Sequence, residues 1–505
     1  MNYCTPLFAI DGSERDHPAF VDVESGVTIT FKGLRRRVQA LASYLTRRGV
    51  STKSTVAIHL YNSIDAIVVH MAAQYIGAVS CFIDALAQPK SLGYYIRETG
   101  ARMLVTHLPE HQIPAEILGS TIVMRNQDLA KIEATQETLS EGGGPRIHSW
   151  DRDEVCYVYY TSGTTSAPKG VMLTQGNHEN FFKITDRYWQ PVSAQSRHIC
   201  FVPFSHGFGS IFLVPLTLRT RATLLILRAF HPQRVVDAIE TYGVTHIYGV
   251  PSHYQQLLRL EGNHPTLRKL QMAFCAASKL EQDTTERWQT IVGIPLNEGY
   301  GLIETCCGIV WRVGDVCRGT GHVGVCPAPS LIEIGILDGE NRLLPAGETG
   351  EIAVRGPSVM KGYLNKAEET DRVFVDGWFK TGDKGYLSTD HHLFMTGRIK
   401  DIINIAGIKV SPYEVEEVLN GHTGVAQTVA VAAEDALYGE TVKAYVQRQP
   451  GATVTERELI RYAAQHLISF QVPKTVEFVE SFPLNNLGKI DRNRLRAAAK
   501  DQRTA

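Results

Sequence analysis

One stretch of the sequence combines hydroxyl side chains, small residues and a single lysine. An apolar run rich in tyrosine ends at Thr161, and the residues that follow include Ser162, Gly163, Thr164, Thr165 and Lys169. Backbone N–H groups and hydroxyls in such a loop can surround phosphate oxygens, and a lysine adds positive charge. It is not a Walker A loop, because Pro168 precedes the lysine and Gly170 follows it. The stretch predicts a phosphate loop of another kind or, taken alone, a flexible linker rich in Ser and Thr.

Six further motifs follow this loop along the chain. They are Pro203-Phe204-Ser205-His206-Gly207-Phe208-Gly209, Gly299-Tyr300-Gly301-Leu302-Ile303-Glu304-Thr305, Gly350-Glu351 through Gly362-Tyr363, Gly377-Trp378-Phe379-Lys380-Thr381-Gly382-Asp383, Gly397-Arg398-Ile399-Lys400-Asp401 with Gly407-Ile408-Lys409-Val410-Ser411-Pro412, and Pro483-Leu484 through Lys489-Ile490-Asp491-Arg492. With the loop, these motifs resemble those of the adenylate-forming enzymes, which include acyl- and aryl-CoA ligases, peptide-synthetase adenylation domains and firefly luciferase. Each motif is weak alone, but seven in register over nearly the whole chain are specific.

The resemblance implies an enzyme that activates a carboxylic acid. The acid would attack the α-phosphorus of ATP, expel pyrophosphate and become an acyl-adenylate. Because both reactants are anions, catalysis would consist mostly of positioning and charge stabilisation. A second nucleophile would then take the acyl group: the thiol of CoA, the thiol of a carrier protein, or an amine.

Roles for individual residues follow from the same resemblance. The ATP-binding set is Thr161, Ser162, Gly163, Thr164, Thr165, Lys169, Tyr300, Gly301, Asp383 and Arg398, and the catalytic set is Lys489, His206 and Glu304. Glu304 would hold Mg²⁺ against the phosphates, since a hard cation prefers oxygen ligands. Asp383 would accept hydrogen bonds from the ribose, Lys489 would bridge the acid and the α-phosphate, and Lys400 would be the hinge. The alternatives are an exposed loop carboxylate at Glu304, a surface turn at Asp383 and a solvated tail lysine at Lys489.

The resemblance also places an acid pocket beside His206. Its predicted lining is His206, Phe208, Phe212, Tyr248, Ala276, Ala277, Gly299 and Ile303, with His253 and Trp311 as further candidates. Peptide-synthetase domains hold an α-ammonium group with an Asp near this position, and this sequence has none there. We therefore expect an apolar aryl, alicyclic or medium acyl acid without a free α-amine. Taken singly, each aromatic residue could also be ordinary core.

The sequence departs from the family pattern at several positions. Ser166 replaces a common Gly, Ile303 a Thr or Ser, and Gln471 a frequent Lys, while Ala276 and Lys279 stand where Gly and Pro are common. Adenylation looks intact, because the expected Lys and Glu residues are present. The departures leave the acid and the acceptor open.

The elements that must position these residues follow a regular order. Strand patterns alternate with helical ones, as in the strand at 27–31, the helix at 33–48, the strand at 55–60 and the helix at 63–76, and a further strand is predicted at 103–106. Alternation of this kind indicates a parallel, layered α/β domain. After residue 335 short β-rich pieces are separated by Gly and Pro, and the last hundred residues have a compact α+β pattern with strands predicted at 428–432 and 442–446.

The predicted fold class is therefore α/β: a large layered N-terminal domain with parallel sheets and a small β-rich subdomain, followed by a mobile C-terminal α+β domain. The predicted boundaries are 1–397 for the N-terminal ATP- and acid-binding domain, 398–401 for the hinge and 402–505 for the mobile domain.

Composition excludes several other classes of protein. The 505 residues carry 51 Lys and Arg against 52 Asp and Glu, a formal charge of −1, so nothing points to nucleic acid or an anionic membrane. The nine cysteines form no C-x-x-C pair, so reduced thiols are favoured over a zinc site built from Cys306, Cys307, Cys317, His322 and Cys326. No secretory signal or membrane span is predicted, and the expected location is the cytoplasm.

These expectations define an ATP- and Mg²⁺-dependent acid ligase with CoA as the default acceptor. The alternatives are an amide-bond synthetase that uses an amine or amino acid, an enzyme that loads a carrier protein, and a degenerate member that binds without turnover. The retained charged residues argue against the last. The expected state is a monomer or a homodimer.

Overall fold

A computed structural model shows the fold of the chain. It describes residues 2–129, 131–132, 145–161, 168–189, 192–260, 262, 264–278, 280–314, 318–319, 321–406, 408–435, 437–485 and 488–501. The chain forms two compact units. The first consists of Met1–Arg318, Val323–Glu333 and Arg355–Gly377, and the second of Gly319–His322, Ile334–Val354 and Trp378–Ala505. The predicted hinge at 398–401 concerns movement between states and stays a prediction.

The described helices are α1 Thr5–Phe8, α2 Phe31–Arg47, α3 Ile64–Tyr75, α4 Pro89–Thr99, α5 Ala115–Ser120, α6 Gln175–Tyr188, α7 Val214–Thr220, α8 Pro232–Tyr242, α9 Pro251–Leu258, α10 His264–Leu267, α11 Gln282–Val292, α12 Ala367–Val373, α13 Pro412–Asn420, α14 Glu456–His466 and α15 Arg492–Asp501.

The described strands are β1 Pro18–Asp22, β2 Thr28–Thr30, β3 Thr55–His59, β4 Val79–Phe82, β5 Met103–Thr106, β6 Ile122–Arg125, β7 Val155–Thr161, β8 Lys169–Thr174, β9 Arg197–Cys200, β10 Thr223–Ile226, β11 His246–Gly249, β12 Met272–Ala276, β13 Leu296–Tyr300, β14 Val310–Arg312, β15 His322–Val325, β16 Glu333–Leu337, β17 Gly350–Arg355, β18 Gly362–Tyr363, β19 Phe374–Val375, β20 Trp378–Leu387, β21 His392–Arg398, β22 Ile403–Ile405, β23 Ile408–Val410, β24 Val425–Asp435, β25 Gly439–Arg448 and β26 Thr475–Phe478.

Two layered sheets organise the first unit. One has the order β18-β8-β7-β4-β3-β5-β6, in which β7 to β6 are parallel and β8 and β18 are antiparallel additions. The other contains the parallel run β1-β10-β9-β11-β12-β13, with β2 antiparallel at one end and β14 and β15 at the other. Because the carboxyl ends of parallel strands share one edge, the segments after β9, β11, β12 and β13 meet there.

Helix α2 shows how the sequence specifies an element. The Thr30 hydroxyl accepts a hydrogen bond from the Gly33 N–H at 3.1 Å and caps the first turn. Leu34, Val38 and Leu41, spaced at helical intervals, are fully buried. The observed helix begins two residues before the predicted start and ends one residue before the predicted end.

The second unit contains β16 and β17 with β20 and β21, followed by the C-terminal α+β part. There β22 to β26 form one sheet, and its core is built from aliphatic side chains of the strands and of α13 and α14. The predicted strands at 428–432 and 442–446 lie inside β24 and β25. The predicted α/β fold class, with its large N-terminal and small C-terminal domains, is confirmed.

A buried ion pair joins α15 to α13 in the second unit. Arg492 donates to both carboxylate oxygens of Glu416 at 2.6 and 2.7 Å, and the Glu416 side chain is 3% exposed. Removing one partner leaves a buried charge uncompensated, so Arg492→Ala should lower the free energy of unfolding by about 3 kcal/mol.

Urea unfolding would measure this loss. The matched control is Arg372→Ala, whose partner Glu368 lies at 3.5 Å with both side chains largely exposed, and its expected loss is below about 1 kcal/mol. Equal denaturation midpoints for the two variants would contradict the assignment of Arg492 as a structural residue.

Candidate active site

The predicted phosphate loop connects two antiparallel strands. Thr161 at the end of β7 lies opposite Lys169 at the start of β8. Ser162, Gly163, Thr164 and Thr165, with Ser166, lie outside the described residues. On the side of Lys169, the Tyr94 hydroxyl donates to the Pro168 carbonyl at 2.8 Å. The register therefore fixes both ends of the loop.

Tyr363 connects two predicted site residues that are far apart in the sequence. Its hydroxyl donates to the Glu304 carboxylate at 3.2 Å, and the Lys169 ammonium lies 5.0 Å from the centroid of its ring. Burial and the neighbouring Glu304 raise the pKa of Tyr363, so it remains a neutral donor. Lys169 also pairs with Glu369 of α12 at 2.6 Å. The strand pairing of β18 with β8 brings Tyr363 to this place.

The Glu304 segment follows directly after β13. The Ile309 N–H donates to the Tyr300 carbonyl at 2.9 Å, and the chain reverses sharply beyond it. A Cβ at Gly301 would overlap the Cys307 carbonyl, and a Cβ at Gly207 would overlap the Cys307 sulfur. Glycine at 301 therefore allows the Glu304 turn to close, and glycine at 207 allows the segment that carries His206 to approach that turn.

Glu304 has the chemistry that Mg²⁺ requires. Its carboxylate is mostly buried, oriented by Tyr363, and hard cations prefer such oxygen ligands. Among the residues that the structure describes, no group of three or more His, Cys, Asp or Glu could hold a metal. A single carboxylate fits Mg²⁺, which commonly binds one or two carboxylates together with substrate phosphates.

Aromatic side chains gather under the carboxyl ends of β11 and β12. We call Trp189, Phe208, Phe212, Tyr248 and Phe274 the aromatic wall. Their rings contact one another with centroid separations between 4.5 and 6.5 Å. Three of the five were predicted to line the acid pocket, and the structure brings those three together.

The rest of the predicted pocket lies beside the aromatic wall. Ala276 ends β12 and pairs with Gly299 of β13. Ala277 follows with φ of +73°, and Ile303 is buried in the turn before Glu304. Trp311 pairs with Gly299 from the other side.

His253, a further candidate for the pocket lining, packs against two phenylalanines that are not part of the aromatic wall. Its ring stacks on Phe230 with a centroid separation of 4.1 Å and contacts Phe201.

A buried histidine, His198, contacts Tyr248. The Tyr248 hydroxyl is 2.6 Å from Nδ1 of His198, and both residues are fully buried. Burial and the neighbouring His246 lower the pKa of His198 well below its usual range, while burial raises that of Tyr248. Both groups are therefore neutral, so this side of the pocket presents no charge to an acid.

The second unit gathers three predicted basic residues around the carboxylate of a fourth, Asp383. Asp383 of β20 and Arg398 of β21 are opposite each other, and the Arg398 Nε–H donates to Asp383 at 3.1 Å. Lys489 interacts with both charges. Lys400 follows in the turn Ile399–Asp401, and partial burial and the charge of Arg398 lower its pKa.

A tight turn holds Lys489. Its N–H donates to the Asn485 side chain at 3.0 Å, the Asn485 N–H donates to its carbonyl at 2.8 Å, and Gly488 has φ of +73°. Leu484 and Ile490 form an antiparallel bridge across the turn. The backbone of Lys489 is therefore fixed, which favours a defined position for its ammonium group.

Lys489 should give adenylation a pH dependence. Burial and the charge of Arg398 lower its pKa to about 8, against the opposite effect of Asp383. Because the protonated form carries the positive charge, kcat/KM should fall as the pH rises through about 8, and only about a tenth of the ammonium remains at pH 9. The profile of acid-dependent pyrophosphate release measures this, and Lys489→Arg should move the descent to higher pH. An unchanged descent in that variant would assign it to another group.

Four residues of the site were missed from the sequence. They are Tyr363, Glu369, Trp189 and Phe274. Tyr363 belongs to a motif that was recognised without a role for its side chain, and the other three carry no motif signal.

The departures from the family pattern have different surroundings. Gln471 donates its side-chain amide to Glu414 in the second unit, and Ile303 is buried. Lys279 lies outside the described residues, as does Cys317 of the zinc alternative. His322 of that alternative hydrogen-bonds to His392 at 2.8 Å.

In the described part of the chain no helix has the length and apolar character needed to span a membrane.

Comparison with known proteins shows that the chain is a ligase that forms acyl-adenylates. Residues 9–364 match the AMP-binding enzyme family, and residues 414–489 match the AMP-binding enzyme C-terminal domain. The chain belongs to the AMP-binding enzyme family. The predicted superfamily is thereby confirmed.

Individual relatives align over nearly their full length. A feruloyl-CoA synthase of Amycolatopsis sp is 30% identical over 481 residues, which cover 93% of this chain and 94% of that protein. The fatty acid–[acyl-carrier-protein] ligase ScoC of Streptomyces coeruleorubidus is 30% identical, with 93% and 92% covered. The crystal structure of ATP-bound MatB from Rhodopseudomonas palustris has a TM-score of 0.91 at 27% identity, with 99% of this chain and 100% of that chain covered.

Proposed function

We propose that the protein is an ATP- and Mg²⁺-dependent acid–CoA ligase that acts on an apolar acid. The observation that carries this proposal is the electrostatic interaction of Lys489 with the hydrogen-bonded Asp383–Arg398 pair. A lysine with a lowered pKa next to a carboxylate that can accept hydrogen bonds is suited to a nucleotide and an anionic reactant. The similarity to feruloyl-CoA synthase supports CoA as the acceptor.

In the first half-reaction a carboxylate oxygen of the acid attacks the α-phosphorus of ATP. The bond between that phosphorus and the bridging oxygen breaks, and pyrophosphate leaves. Lys169 and the loop after Thr161 bind the phosphates, and Tyr300, Gly301, Asp383 and Arg398 bind the nucleoside. Lys489 stabilises the charge that develops between the acid and the α-phosphate. When bound at Glu304, Mg²⁺ supplies charge neutralisation at the phosphates.

In the second half-reaction the thiol of CoA attacks the carbonyl carbon of the acyl-adenylate. The bond from this carbon to the AMP oxygen breaks, the thiol loses its proton, and AMP leaves with the thioester formed. We propose that residues 402–505 rotate relative to residues 1–397 between the two steps. Lys400 absorbs the backbone change within the hinge 398–401.

We propose that the acid is apolar because of the residues predicted to line the pocket with His206. The aromatic wall, Ala276, Ala277, Gly299 and Ile303 offer carbon surfaces, and the His198–Tyr248 pair is neutral. A carboxylate bound at His206 would extend its organic part toward this surface. An α-ammonium group would meet no carboxylate among these residues, so we propose acids without a free α-amine.

Loading of a carrier protein is the second candidate. The similarity to ScoC, a ligase that acts on an acyl-carrier protein, favours it. Gln471, which replaces a common lysine and donates to Glu414 in the second unit, is proposed as a mark of a changed acceptor site. The third candidate acceptor is an amine, and its product would be an amide. The cytoplasmic location and the monomeric or homodimeric state stay predictions.

Mass spectrometry on a competition reaction tests the proposal. Purified protein, ATP and Mg²⁺ meet a pooled library of aryl, alicyclic and acyl acids with CoA, apo- and holo-carrier protein and mixed amino acids present, and a matched reaction lacks ATP. We expect an acyl-CoA mass that requires ATP and that identifies the acid. An amide mass or an acylated holo-carrier without thioester to CoA would transfer the proposal to that acceptor. No AMP with any acid would overturn adenylation itself.

A further inference from the structure

The aromatic wall is closely packed. Trp189 contacts Phe274 with a centroid separation of 4.5 Å and Phe212 at 5.1 Å, and Phe208 lies 6.0 Å from both Tyr248 and Phe274. A flat group between two rings needs carbon contacts of about 3.5 Å on each face, or about 7 Å between ring centres. The eight ring pairs of the wall that are in contact are separated by at most 6.5 Å. An acid therefore has no space between these contacting rings.

Phe274 also covers the surface beside Gly299. A Cβ at Gly299 would overlap the tip of the Phe274 ring, so the ring lies directly against the glycine backbone. Tyr248 is paired with Phe274 in register, and side chains of paired residues share one face of the sheet. The floor of the pocket at this level is therefore filled by two large rings.

The depth of the pocket follows from the strand. Ala276 ends β12, while Phe274 lies two residues further down and faces the same side. Two strand residues span about 7 Å, but the tip of the Phe274 ring lies against Gly299, which pairs with Ala276, so the ring reaches back to the level of Ala276. An acid held at the carboxyl end of the strands, beside Ala276, thus meets the aromatic wall close to that end.

We propose that the aromatic wall, through Phe274 and Trp189, limits the substrate to a compact acid, a single-ring aryl acid or a short acyl chain. This inference rests on the proposed function and narrows it, since it excludes the medium acyl chains that the sequence analysis allowed. Trp189 and Phe274 are specificity-determining residues, and neither carries out a chemical step.

The test compares acids of matched chemistry and different length. The pairs are benzoate with biphenyl-4-carboxylate and butanoate with decanoate, and the readout is kcat/KM for acid-dependent pyrophosphate release. In the wild type the kcat/KM for the shorter acid of each pair should be about 100-fold or more above that for the longer acid, since a filled pocket rejects each further group strongly. Phe274→Val should reduce that ratio at least about tenfold.

Two further variants make the result interpretable. Phe20→Val is the matched control, because Phe20 is a fully buried phenylalanine in β1, another strand of the first unit, and it should leave the ratio unchanged. Trp189→Leu alters a half-buried side chain, and it tests the wall independently if Phe274→Val fails to fold.

The outcomes separate this inference from the proposed function. If no acid of a broad panel supports pyrophosphate release, the proposed function is overturned and the size limit with it. Efficient use of decanoate or biphenyl-4-carboxylate by the wild type overturns the size limit and leaves the proposed function standing. A ratio unchanged in both Phe274→Val and Trp189→Leu shows that other residues set the limit.

Discussion

Lys489→Ala is expected to lower the rate of adenylation by about 10²–10³, comparable to the loss of one oxyanion donor. The reason is local, because the lysine lies next to the Asp383–Arg398 pair and supplies the charge that both anionic reactants need. The fold should be unaffected, since the turn is held by backbone and Asn485 contacts that alanine retains. Acid-dependent pyrophosphate release measures the rate, and thermal unfolding checks the fold.

Lys500→Ala is the control for this result. Lys500 is an exposed lysine of α15 in the same unit, and its loss should leave the rate unchanged. Acyl transfer from a chemically prepared acyl-adenylate to CoA offers a second readout, because Lys489 acts before that step and the variant should retain it. Wild-type pyrophosphate release by Lys489→Ala would remove Lys489 from the mechanism.

Glu304→Gln should reduce kcat/KM for ATP by about 10²-fold, because a glutamine of the same size cannot supply the charge that holds a metal at the phosphates. The amide oxygen can still accept from Tyr363, so the change removes charge and preserves the local packing. The Mg²⁺ concentration for half-maximal activity should rise. Steady-state rates over a Mg²⁺ series measure both effects.

Two variants bracket the Glu304 result. Glu340→Gln, at an exposed turn in the second unit, should leave the Mg²⁺ dependence at its wild-type value. Tyr363→Phe removes the hydroxyl that orients the carboxylate and should produce a smaller loss of the same kind. If Glu304→Gln kept the wild-type Mg²⁺ dependence, Glu304 would be a structural carboxylate held by Tyr363.

Much of the first unit follows from patterns within single segments. The strand at Met103–Thr106 was predicted to the residue, because three apolar residues and a β-branched threonine follow a glycine turn and precede a polar residue. The helix predicted at 63–76 is observed as Ile64–Tyr75, capped by the Ser63 hydroxyl. Hydrophobic periodicity and capping residues act over a few positions, so one sequence is sufficient to find them.

The contacts within the site depend on pairings between distant segments. Tyr363 reaches Glu304 and Lys169 because β18 pairs with β8, and a two-residue strand has no periodic signal of its own. Glu369 meets Lys169 through the same pairing. Predicting these contacts requires knowing that β18 pairs with β8 and in which register, and the sequence pattern does not show this.

The acid pocket was predicted only in part for a similar reason. Phe208, Phe212 and Tyr248 were predicted through the family resemblance, while Trp189 lies after α6 and Phe274 is one of several apolar residues of β12. Each would be ordinary core by composition. Only their mutual packing shows that they form one wall.

The most direct measurement of the central claim follows the oxygen atoms. The acid is labelled with ¹⁸O in both carboxylate positions and incubated with ATP, Mg²⁺, CoA and the enzyme, and the nucleotide products are analysed by mass spectrometry. Attack on the α-phosphorus followed by transfer of the acyl group leaves one acid oxygen on AMP, so we predict AMP heavier by one ¹⁸O and unlabelled pyrophosphate. Release of ADP with ¹⁸O in inorganic phosphate would show attack on the γ-phosphorus and would contradict an acyl-adenylate.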